Sequence, residues 1–396
     1  MTGAIRLTEY RETRVWLDRT DAGFIASRLG GRITIRREVT SEEYFLNPAQ
    51  FVGVVTLPSG RRLECQSKVP VGNLFHMLAI ASGIESPFRD EAIGVDRLDE
   101  LLEFVVDHFT GLVERRIDWG LYRAYVERED NLSSVRGRIG IAEDVRRNHI
   151  LRHRTWCRFD EFTWDIPENQ VVRQVVHLLG GWIRRPDLRL RLRRIDGTLA
   201  EVSPTTMPAS AIDRFTYHRL NDDYRPIHRL CRLFLAGSSL SEHEGPIDFR
   251  AFLIDMNRLF EAFVTEVLRA RAPVRTRLRS QSQLFLGHEK KVEMRPDLAV
   301  DRDGTTVLVA DCKYKRLDAS EFRHHDVYQL LAYCVVTDVG RGLLIYPAHT
   351  DSIHHEVRIR HVPITIRHTS IDLGGSLESL GRACDGLATD VFDWTD

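Results

Sequence analysis

The chain has 396 residues, of which 43% are hydrophobic and 29% are charged, and its formal net charge is −1. At roughly 100–200 residues per domain, this length predicts two or three domains of a globular protein. The near-neutral charge argues against a protein that coats nucleic acid through its global charge, so any contact with DNA has to come from local basic patches or from a partner.

Neither a membrane protein nor a cysteine-stapled fold is indicated. The apolar runs are far shorter than the roughly 20 residues that span a bilayer, and the N-terminus has no apolar core of a signal peptide, so we expect a cytoplasmic protein. The six cysteines are widely spaced and form no C-x-x-C pair. This spacing argues against a disulfide framework, a zinc ribbon or an iron–sulfur cluster.

The first region, residues 1–110, is predicted to be a β-rich module followed by helices. Residues 32–39 have strand character, and residues 51–69 favour a hairpin around Ser59-Gly60. Helical periodicity follows at 73–82 and 98–112. We find no catalytic constellation in this region.

The second region, residues 111–240, is predicted to be mainly helical. Residues 121–128 and 169–183 have apolar spacings of three and four, whereas residues 133–141 are short and partly extended. Leucine and arginine alternate in residues 184–194, which favours an edge strand with one basic face. Such a row can bind phosphate, or it can guard a solvated edge against aggregation.

The third region, residues 245–396, is predicted to be a mixed α/β core. Residues 254–270 form a strongly amphipathic helix. Strand-like segments follow at 284–287, 292–300 and 305–313, then a helix at 320–336 and strands at 342–346 and 356–362, with one more helix in the tail. The fold class is therefore α/β (α+β overall), with a mixed sheet flanked by helices behind the β-rich and helical regions.

Two acidic side chains and a lysine are predicted to meet at the end of one strand. The segment is RPDLAVDRDGTTVLVADCKYK, residues 295–315, and an Asp-Gly pair in its middle favours a hairpin. Because side chains alternate along a strand, Asp311 and Lys313 project from the same side, ~7 Å apart by strand rise. Asp297 reaches the same point from the neighbouring strand.

These residue types are suited to a divalent cation. Two nearby carboxylates repel each other, and a cation relieves that repulsion. Carboxylate, water and phosphate oxygens suit Mg²⁺, with Mn²⁺ as the alternative ion, and such an ion activates water and polarises a phosphoryl oxygen. Asp297, Asp311 and the carbonyl of Cys312 are the predicted ligands, and Lys313 is predicted to orient the attacking water. A surface ion-pair cluster is the alternative for D-x-K alone.

Residues of two predicted helices are candidates to complete the site. Gln329 and Tyr333 lie four residues apart after the D-x-K strand, hence on one helix face, and are predicted to hold a phosphate or a water unless they are incidental polar residues. Glu261 lies in a polar gap beside the apolar stripe of residues 254–270. It is a predicted metal ligand, the alternative being an exposed glutamate that pairs with Arg258.

The spacing R-P-D-x₁₃-D-x-K-Y-K, followed by D-x-x-Q-x-x-x-Y, resembles the RecB-like branch of the PD-(D/E)xK nucleases. The wider pattern resembles the McrC family, the nuclease subunit of modification-dependent McrBC restriction systems. Besides the site motifs, the resemblance rests on VGVVTLPSGRRLECQSKVP, VRGRIGIAEDVRRN, RFDEFTWDIPENQVV and DMNRLFEAFV.

The resemblance implies a restriction-endonuclease-like core in residues 245–396 that cleaves DNA with Asp297, Asp311 and Lys313. It also implies a McrB-like hexameric AAA+ GTPase that recognises methylated DNA, on which the N-terminal half would dock. The sequence contains no G-x-x-x-x-G-K-[ST] motif, so the chain itself is expected to bind no nucleotide. Two alternatives stay open: a self-sufficient RecB-like repair or defence nuclease, and a non-catalytic activator of a partner NTPase.

Overall fold

The computed structural model describes residues 4–38, 41, 43–81, 98–148, 153–183, 185–238, 251–315, 324–348 and 355–395. These residues form two compact units. Unit one contains the described residues up to 102 and from 251 onward, and unit two contains the described residues 103–238. None of the described helices is long and apolar enough to cross a membrane.

The N-terminal part of unit one is rich in short strands, as predicted. Its elements are β1 (Ile5–Thr8), β2 (Thr13–Trp16), α1 (Arg19–Arg28), β3 (Thr34–Arg37), β4 (Glu43–Asn47), β5 (Phe51–Thr56), β6 (Arg62–Gln66) and α2 (Val71–Ala81). The predicted hairpin is confirmed, because β5 pairs antiparallel with β6. Strand β1 adds to β6 in parallel, while β2, β4 and β3 form a separate sheet.

Unit two is mainly helical, with one small antiparallel sheet. Its elements are α3 (Leu98–Asp118, whose residues 98–102 belong to unit one), β7 (Ala124–Leu132), β8 (Arg138–Ile139), α4 (Ile141–Asn148), β9 (Thr155–Thr163), α5 (Pro167–Gly180), α6 (Pro186–Thr198), a 3₁₀ helix (Ala209–Arg214) and α7 (Tyr224–Ser238). Strand β9 lies between β7 and β8. The helices pack around buried aromatic side chains, with Phe109 and Phe234 edge to face at 5.6 Å.

Two predictions for unit two were wrong. Residues 121–128 were expected to be helical, but most of them belong to β7, whose partner β9 lies far along the chain. The arginine row was expected to be a strand, but it forms α6, which starts at Pro186. A helix is favoured over a strand here because Leu188, Leu192 and Ile195 lie on one buried helix face at spacings of four and three. Leu190, which does not lie on that face, is exposed.

The C-terminal part of unit one carries a six-stranded mixed sheet. Its elements are β10 (Ala251–Asp255), α8 (Met256–Ala270), β11 (Thr276–Ser280), β12 (Leu284–Phe285), β13 (Glu293–Met294), β14 (Leu298–Arg302), β15 (Thr305–Cys312), α9 (His324–Thr337), β16 (Arg341–Ala348), β17 (His355–Arg358), β18 (Thr365–Asp372) and α10 (Leu377–Asp393). The strand order is β11-β14-β15-β16-β18-β17. Strands β15, β16 and β18 are parallel, and the others pair antiparallel.

The predicted hairpin between β14 and β15 is confirmed. Asp303 and Gly304 both have positive φ, 51° and 85°, as a two-residue type I′ turn requires. Helix α9 packs closely on this sheet. A Cβ atom at Gly342 of β16 would lie only 2.8 Å from the sulfur of Cys334 of α9, so glycine is needed at this contact. The helix predicted at 320–336 is observed as α9, and its residues 320–323 lie outside the described ranges.

The expected division between residues 1–110 and 245–396 differs from the structure, which groups the described residues up to 102 with those from 251 onward in one unit. The reason is β10, whose residues 251–255 pair antiparallel with β5 and complete the N-terminal sheet. Gly53 makes this pairing possible, because a Cβ there would lie 2.0 Å from the carbonyl oxygen of Phe252. At the other end, Asn73 Nδ2 donates to the carbonyl of Leu373 at 2.8 Å.

Candidate active site

The structure brings the predicted acids together where β14 begins and β15 ends. Leu298 pairs with Ala310 across the hairpin, so Asp297 and Asp311 are neighbours on adjacent strands. The Asp297 carboxylate accepts a hydrogen bond of 2.8 Å from the backbone N–H of Cys312. The local sequence therefore fixes the first carboxylate through the backbone of the strand that carries the second.

Lys313 lies directly against Asp311. The ammonium Nζ is 2.5 Å from Asp311 Oδ2, and the side chains are 18% and 2% exposed. Apart from this contact, Asp311 Oδ2 has no hydrogen-bond partner among the described residues. Burial acts to lower the pKa of Lys313, but the charge and hydrogen bond of Asp311, together with the charges of Asp297 and Asp326, overcome burial and raise the pKa. The lysine therefore stays an ammonium at neutral pH.

The electrostatics around Asp297 are unfavourable. Burial, followed by the charges of Asp311 and Glu261, raises the pKa of Asp297 to about 8, although the Cys312 N–H lowers it. Burial also raises the pKa of Glu261, with a further contribution from Asp311. The cluster thus holds more negative charge than its protein donors neutralise, which is the usual signature of a functional site rather than of a stabilising ion pair.

Helix α9 adds a chain of hydrogen bonds that ends on the lysine. Lys313 Nζ donates to Gln329 Oε1 at 3.0 Å, and Gln329 Nε2 donates to the hydroxyl of Tyr333 at 2.7 Å. Tyr333 is buried, and burial raises the pKa of its phenol. The predicted shared face of Gln329 and Tyr333 is therefore observed, and its direct contact is with Lys313.

Helix α8 places Glu261 beside the acids. Its carboxylate contributes to the raised pKa of Asp297, so the helix does face the site. The alternative pairing with Arg258 is not observed, because Arg258 lies 3.9 Å from Asp255 instead. Glu261 accepts a hydrogen bond of 2.5 Å from Gln281 Nε2.

Gln281 is a site residue that the sequence analysis missed. Its Nε2 also lies 3.3 Å from Asp297 Oδ1, so one amide contacts two acids. No spacing rule identifies it, since it follows β11 in a non-regular segment. The one available indication was a glutamine, in the sequence SQSQLF, between the helix that carries Glu261 and the Pro296-Asp297 pair.

The predicted metal ligands do not converge on one point. Across the described ranges, no group of three or more His, Cys, Asp or Glu residues is arranged to hold a metal ion. Protein donors contact the acids instead: the Lys313 ammonium contacts Asp311, and the Gln281 amide lies between Glu261 and Asp297. The backbone N–H of Cys312 donates a hydrogen bond to Asp297, and burial raises the pKa of the Cys312 thiol.

Tyr314, the residue after Lys313, points away from solvent into the N-terminal part of unit one. It is 4% exposed, and its hydroxyl donates to Glu9 Oε1 at 3.0 Å. The hydroxyl of Tyr10 in turn donates to the carbonyl of Tyr314 at 2.9 Å. Two consecutive residues, Glu9 and Tyr10, thus anchor the strand end that carries the lysine.

The arginine row of residues 184–194 forms ion pairs within unit two. Within unit two, Arg191 forms ion pairs with Asp107 and Glu114 on α3, the latter at 2.6 Å. Arg185 contacts Asp107 at 3.3 Å and Asp187 at 2.5 Å. These two arginines hold helices together, so neither supports the phosphate-binding interpretation.

Comparison with known proteins gives consistent matches. A family model described as McrBC 5-methylcytosine restriction system component matches residues 46–347. The type IV methyl-directed restriction enzyme EcoKMcrBC of Escherichia coli K12 is 23% identical over 355 residues, which is 83% of this chain and 97% of that protein.

A solved structure shares the fold. It is a chain in the refined half-complex from the tetradecameric assembly of Thermococcus gammatolerans McrB AAA+ hexamers with bound McrC. The match covers 98% of this chain and 100% of that chain, with a TM-score of 0.57 and 17% identity. At this identity the likeness concerns the mixed α/β fold.

Proposed function

The chain belongs to the family of McrBC 5-methylcytosine restriction system components, since the family model matches residues 46–347 of its 396. On this premise we propose that it is the Mg²⁺-dependent DNA endonuclease subunit of a modification-dependent restriction complex. The observation that carries the proposal is the convergence of Asp297, Asp311 and Lys313 at the adjacent ends of β14 and β15.

The side chains present fit a divalent cation. Asp311 Oδ2 is buried with no hydrogen-bond partner other than the ammonium contact among the described residues, and burial together with the charges of Asp311 and Glu261 raises the pKa of Asp297. Mg²⁺ is usually held by one or two carboxylates together with water and phosphate oxygens, so a preformed cage of three acids is not required. Asp297 and Asp311 would hold the ion, with Glu261 and the carbonyl of Cys312 as further candidates.

A bound Mg²⁺ would supply Lewis-acid activation of water and of the phosphoryl oxygen. The remaining work falls to the chain itself. Lys313, held cationic by Asp311, stabilises the negative charge that develops on the phosphoryl group and orients the attacking water. Gln329 fixes the direction of the lysine, and Tyr333 fixes Gln329.

The partner follows from the relatives. One relative is described as a methyl-directed restriction enzyme, and another comes from an assembly of McrB AAA+ hexamers with bound McrC. We infer that this chain acts on methylated DNA together with a McrB-like AAA+ GTPase hexamer. The lack of a P-loop motif in its sequence supports this division of labour.

The test is cleavage of methylated and unmethylated plasmids in Mg²⁺. The chain is assayed alone and with a McrB-like AAA+ protein, with GTP or ATP. We expect cleavage of methylated plasmid only when the partner and a nucleotide are present. Cleavage by the chain alone would favour the autonomous nuclease, and no cleavage in any mixture would favour the non-catalytic activator.

Lys313→Ala and Lys315→Ala form a matched pair for this assay. Lys313 contacts Asp311, whereas Lys315 lies 3.4 Å from Asp326 and outside the acid cluster. Lys313→Ala should abolish cleavage and leave stimulation of the partner's GTP hydrolysis intact. Lys315→Ala should cleave like the wild type. Equal activity of the two variants would overturn the assignment of the site.

A further inference from the structure

Glu261 and Asp297 share one donor. Gln281 Nε2 donates to Glu261 Oε1 at 2.5 Å and lies 3.3 Å from Asp297 Oδ1. An amide nitrogen carries two hydrogens, so it can serve two carboxylates at once. Within the part of the chain that the structure describes, this amide is the one hydrogen-bond partner of the Glu261 side chain.

The amide lies where a bridging cation would have to lie. A group in contact with both carboxylate oxygens occupies the space between them, and Mg²⁺ reaches its oxygens at only about 2.1 Å. The amide and an ion that bridges the two acids therefore exclude each other.

The side-chain amide of Gln281 can also move away from the two carboxylates. The residue is exposed, so its amide can exchange carboxylate oxygens for water at little cost. The other donor to Asp297, the backbone N–H of Cys312, lies in β15 and cannot move away. The backbone of Gln281 stays attached to the same strand end, because its N–H donates to the carbonyl of Asp297 at 3.3 Å.

We propose that Gln281 is a positioning residue whose side-chain amide takes the place of the divalent cation between Glu261 and Asp297 and is displaced when the ion binds. The inference rests on the proposed metal site. In the metal-free protein the amide keeps helix α8 and strand β14 together against the repulsion of their acids. Metal binding has to break the hydrogen bonds of this amide, which weakens the affinity for the metal.

Two substitutions shift metal affinity in opposite directions. Gln281→Met keeps the length of the side chain but has no donor, so the dissociation constant for Mg²⁺ should fall roughly fivefold, about the contribution of one hydrogen bond. Gln281→Lys places a permanent charge between the acids, so the dissociation constant should rise at least about tenfold. Neither side chain is β-branched, which suits the positive φ of 53° at this position.

Unit two supplies the matched control. Gln170 Nε2 donates to Asp165 Oδ1 at 2.8 Å, so Gln170→Met deletes the same kind of bond at a site without an acid cluster. Titration calorimetry with Mg²⁺ on the full chain gives the dissociation constant, and thermal unfolding in EDTA gives the stability without metal. Gln281→Met and Gln170→Met should both lower the unfolding temperature, but only Gln281→Met should tighten Mg²⁺ binding.

The outcomes separate this inference from the proposed function. Unchanged or weaker Mg²⁺ binding by Gln281→Met, with wild-type binding that Asp311→Asn abolishes, would overturn the role of Gln281 and leave the metal site standing. Tighter binding by Gln281→Met and weaker binding by Gln281→Lys would support it. If the wild type shows no Mg²⁺ binding that depends on Asp311, the metal site fails and this inference fails with it.

Discussion

Each unit has an aspartate with little exposure, and the two are in opposite electrostatic situations. In unit two, burial acts to raise the pKa of Asp165, but hydrogen bonds from Gln170, Ser203 and Arg128 overcome it and lower the pKa to about 2. In unit one, burial and two neighbouring acids raise the pKa of Asp297 to about 8. Burial acts to raise the pKa of both carboxyls, and their partners differ: Asp165 has three hydrogen-bonding neighbours, whereas Asp297 faces two acids.

This difference separates a structural acid from a functional one. Asp165 accepts from Gln170 Nε2, the backbone N–H of Ser203, its hydroxyl and Arg128, at 2.7–3.1 Å. Such a network stabilises the fold. The acids of unit one repel each other, and this repulsion reduces the stability of the fold. Such an arrangement is typical of a functional site, where a bound ligand compensates for the repulsion. Removing an acid should therefore have opposite effects in the two units.

The largest expected effect is the loss of cleavage in Asp311→Asn. Removing this carboxylate deletes a proposed metal ligand and the partner of Lys313, so cleavage should fall about a thousandfold. Asp297→Asn relieves the repulsion among the acids without removing the ion-pair partner of Lys313, so this variant should unfold at a higher temperature than the wild type when metal is absent. Plasmid cleavage by Asp311→Asn and thermal unfolding of Asp297→Asn in EDTA measure the two effects, and a less stable Asp297→Asn would contradict the proposed origin of the strain.

Acid should affect the two units in opposite directions. Burial lowers the pKa of His228 in unit two to about 4, so the unfolded state binds the proton first and stability is lost as the pH falls from about 6.5 to 4. This amounts to up to about 3 kcal/mol. The raised pKa of Asp297 has the opposite sign, since stability there is gained as the pH falls from about 8 to 4.

Peptide-resolved hydrogen exchange at pH 7, 5.5 and 4 can measure these opposite changes in the stability of the two units. Protection in unit two should decrease, and protection around β14 and β15 should increase or hold. His228 contacts the hydroxyl of Tyr217 and the carbonyl of Glu168, so His228→Phe carries a cost at every pH. Its pH dependence should nevertheless be flatter, and an unchanged slope would exclude His228 as the cause.

Asp165→Asn should have an intermediate effect on stability. The amide keeps the shape of the carboxylate but loses the charge and places a donor against Gln170, Ser203 and Arg128. We expect a loss of about 2 kcal/mol in the free energy of unfolding of unit two, the usual contribution of hydrogen bonds to a charged group. Urea denaturation measures it. Metal binding should not change, and a stability equal to that of the wild type would remove the contrast between the two aspartates.

Tyr333→Phe should have the smallest effect. The phenol accepts a hydrogen bond from Gln329, which in turn holds Lys313, so cleavage should fall about fivefold, as expected for one lost hydrogen bond. Tyr328 lies on the same helix but is 66% exposed, which makes Tyr328→Phe the matched control. Equal activity of both variants would show that the lysine does not depend on this chain of hydrogen bonds.

Local chemistry made much of the candidate site predictable. An Asp-Gly turn fixed the register of β14 and β15, and strand alternation placed Asp311 and Lys313 on one side. Helical spacing placed Gln329 and Tyr333 on one face. These rules act over a few residues, which is why the sequence reveals them.

The unpredicted features depend on distant contacts. Gln281 belongs to the site only because the fold brings α8 and β14 to either side of it. The alternation of leucine and arginine in α6 suggested a strand, but buried contacts at Leu188, Leu192 and Ile195 selected a helix. Strand β10 was missed because its partner, β5, lies about two hundred residues earlier in the chain.

The pairing of β10 with β5 also has a consequence for biosynthesis. The ribosome releases the N-terminal strands first, but the strand that completes their sheet, Ala251–Asp255, emerges only after all of unit two has been made. The described residues of unit two, 103–238, form one stretch of chain that is made before β10, so β5 has one edge unpaired during this time. An exposed strand edge invites pairing with other chains, so the nascent N-terminal segment is open to aggregation until Ala251–Asp255 has been synthesised.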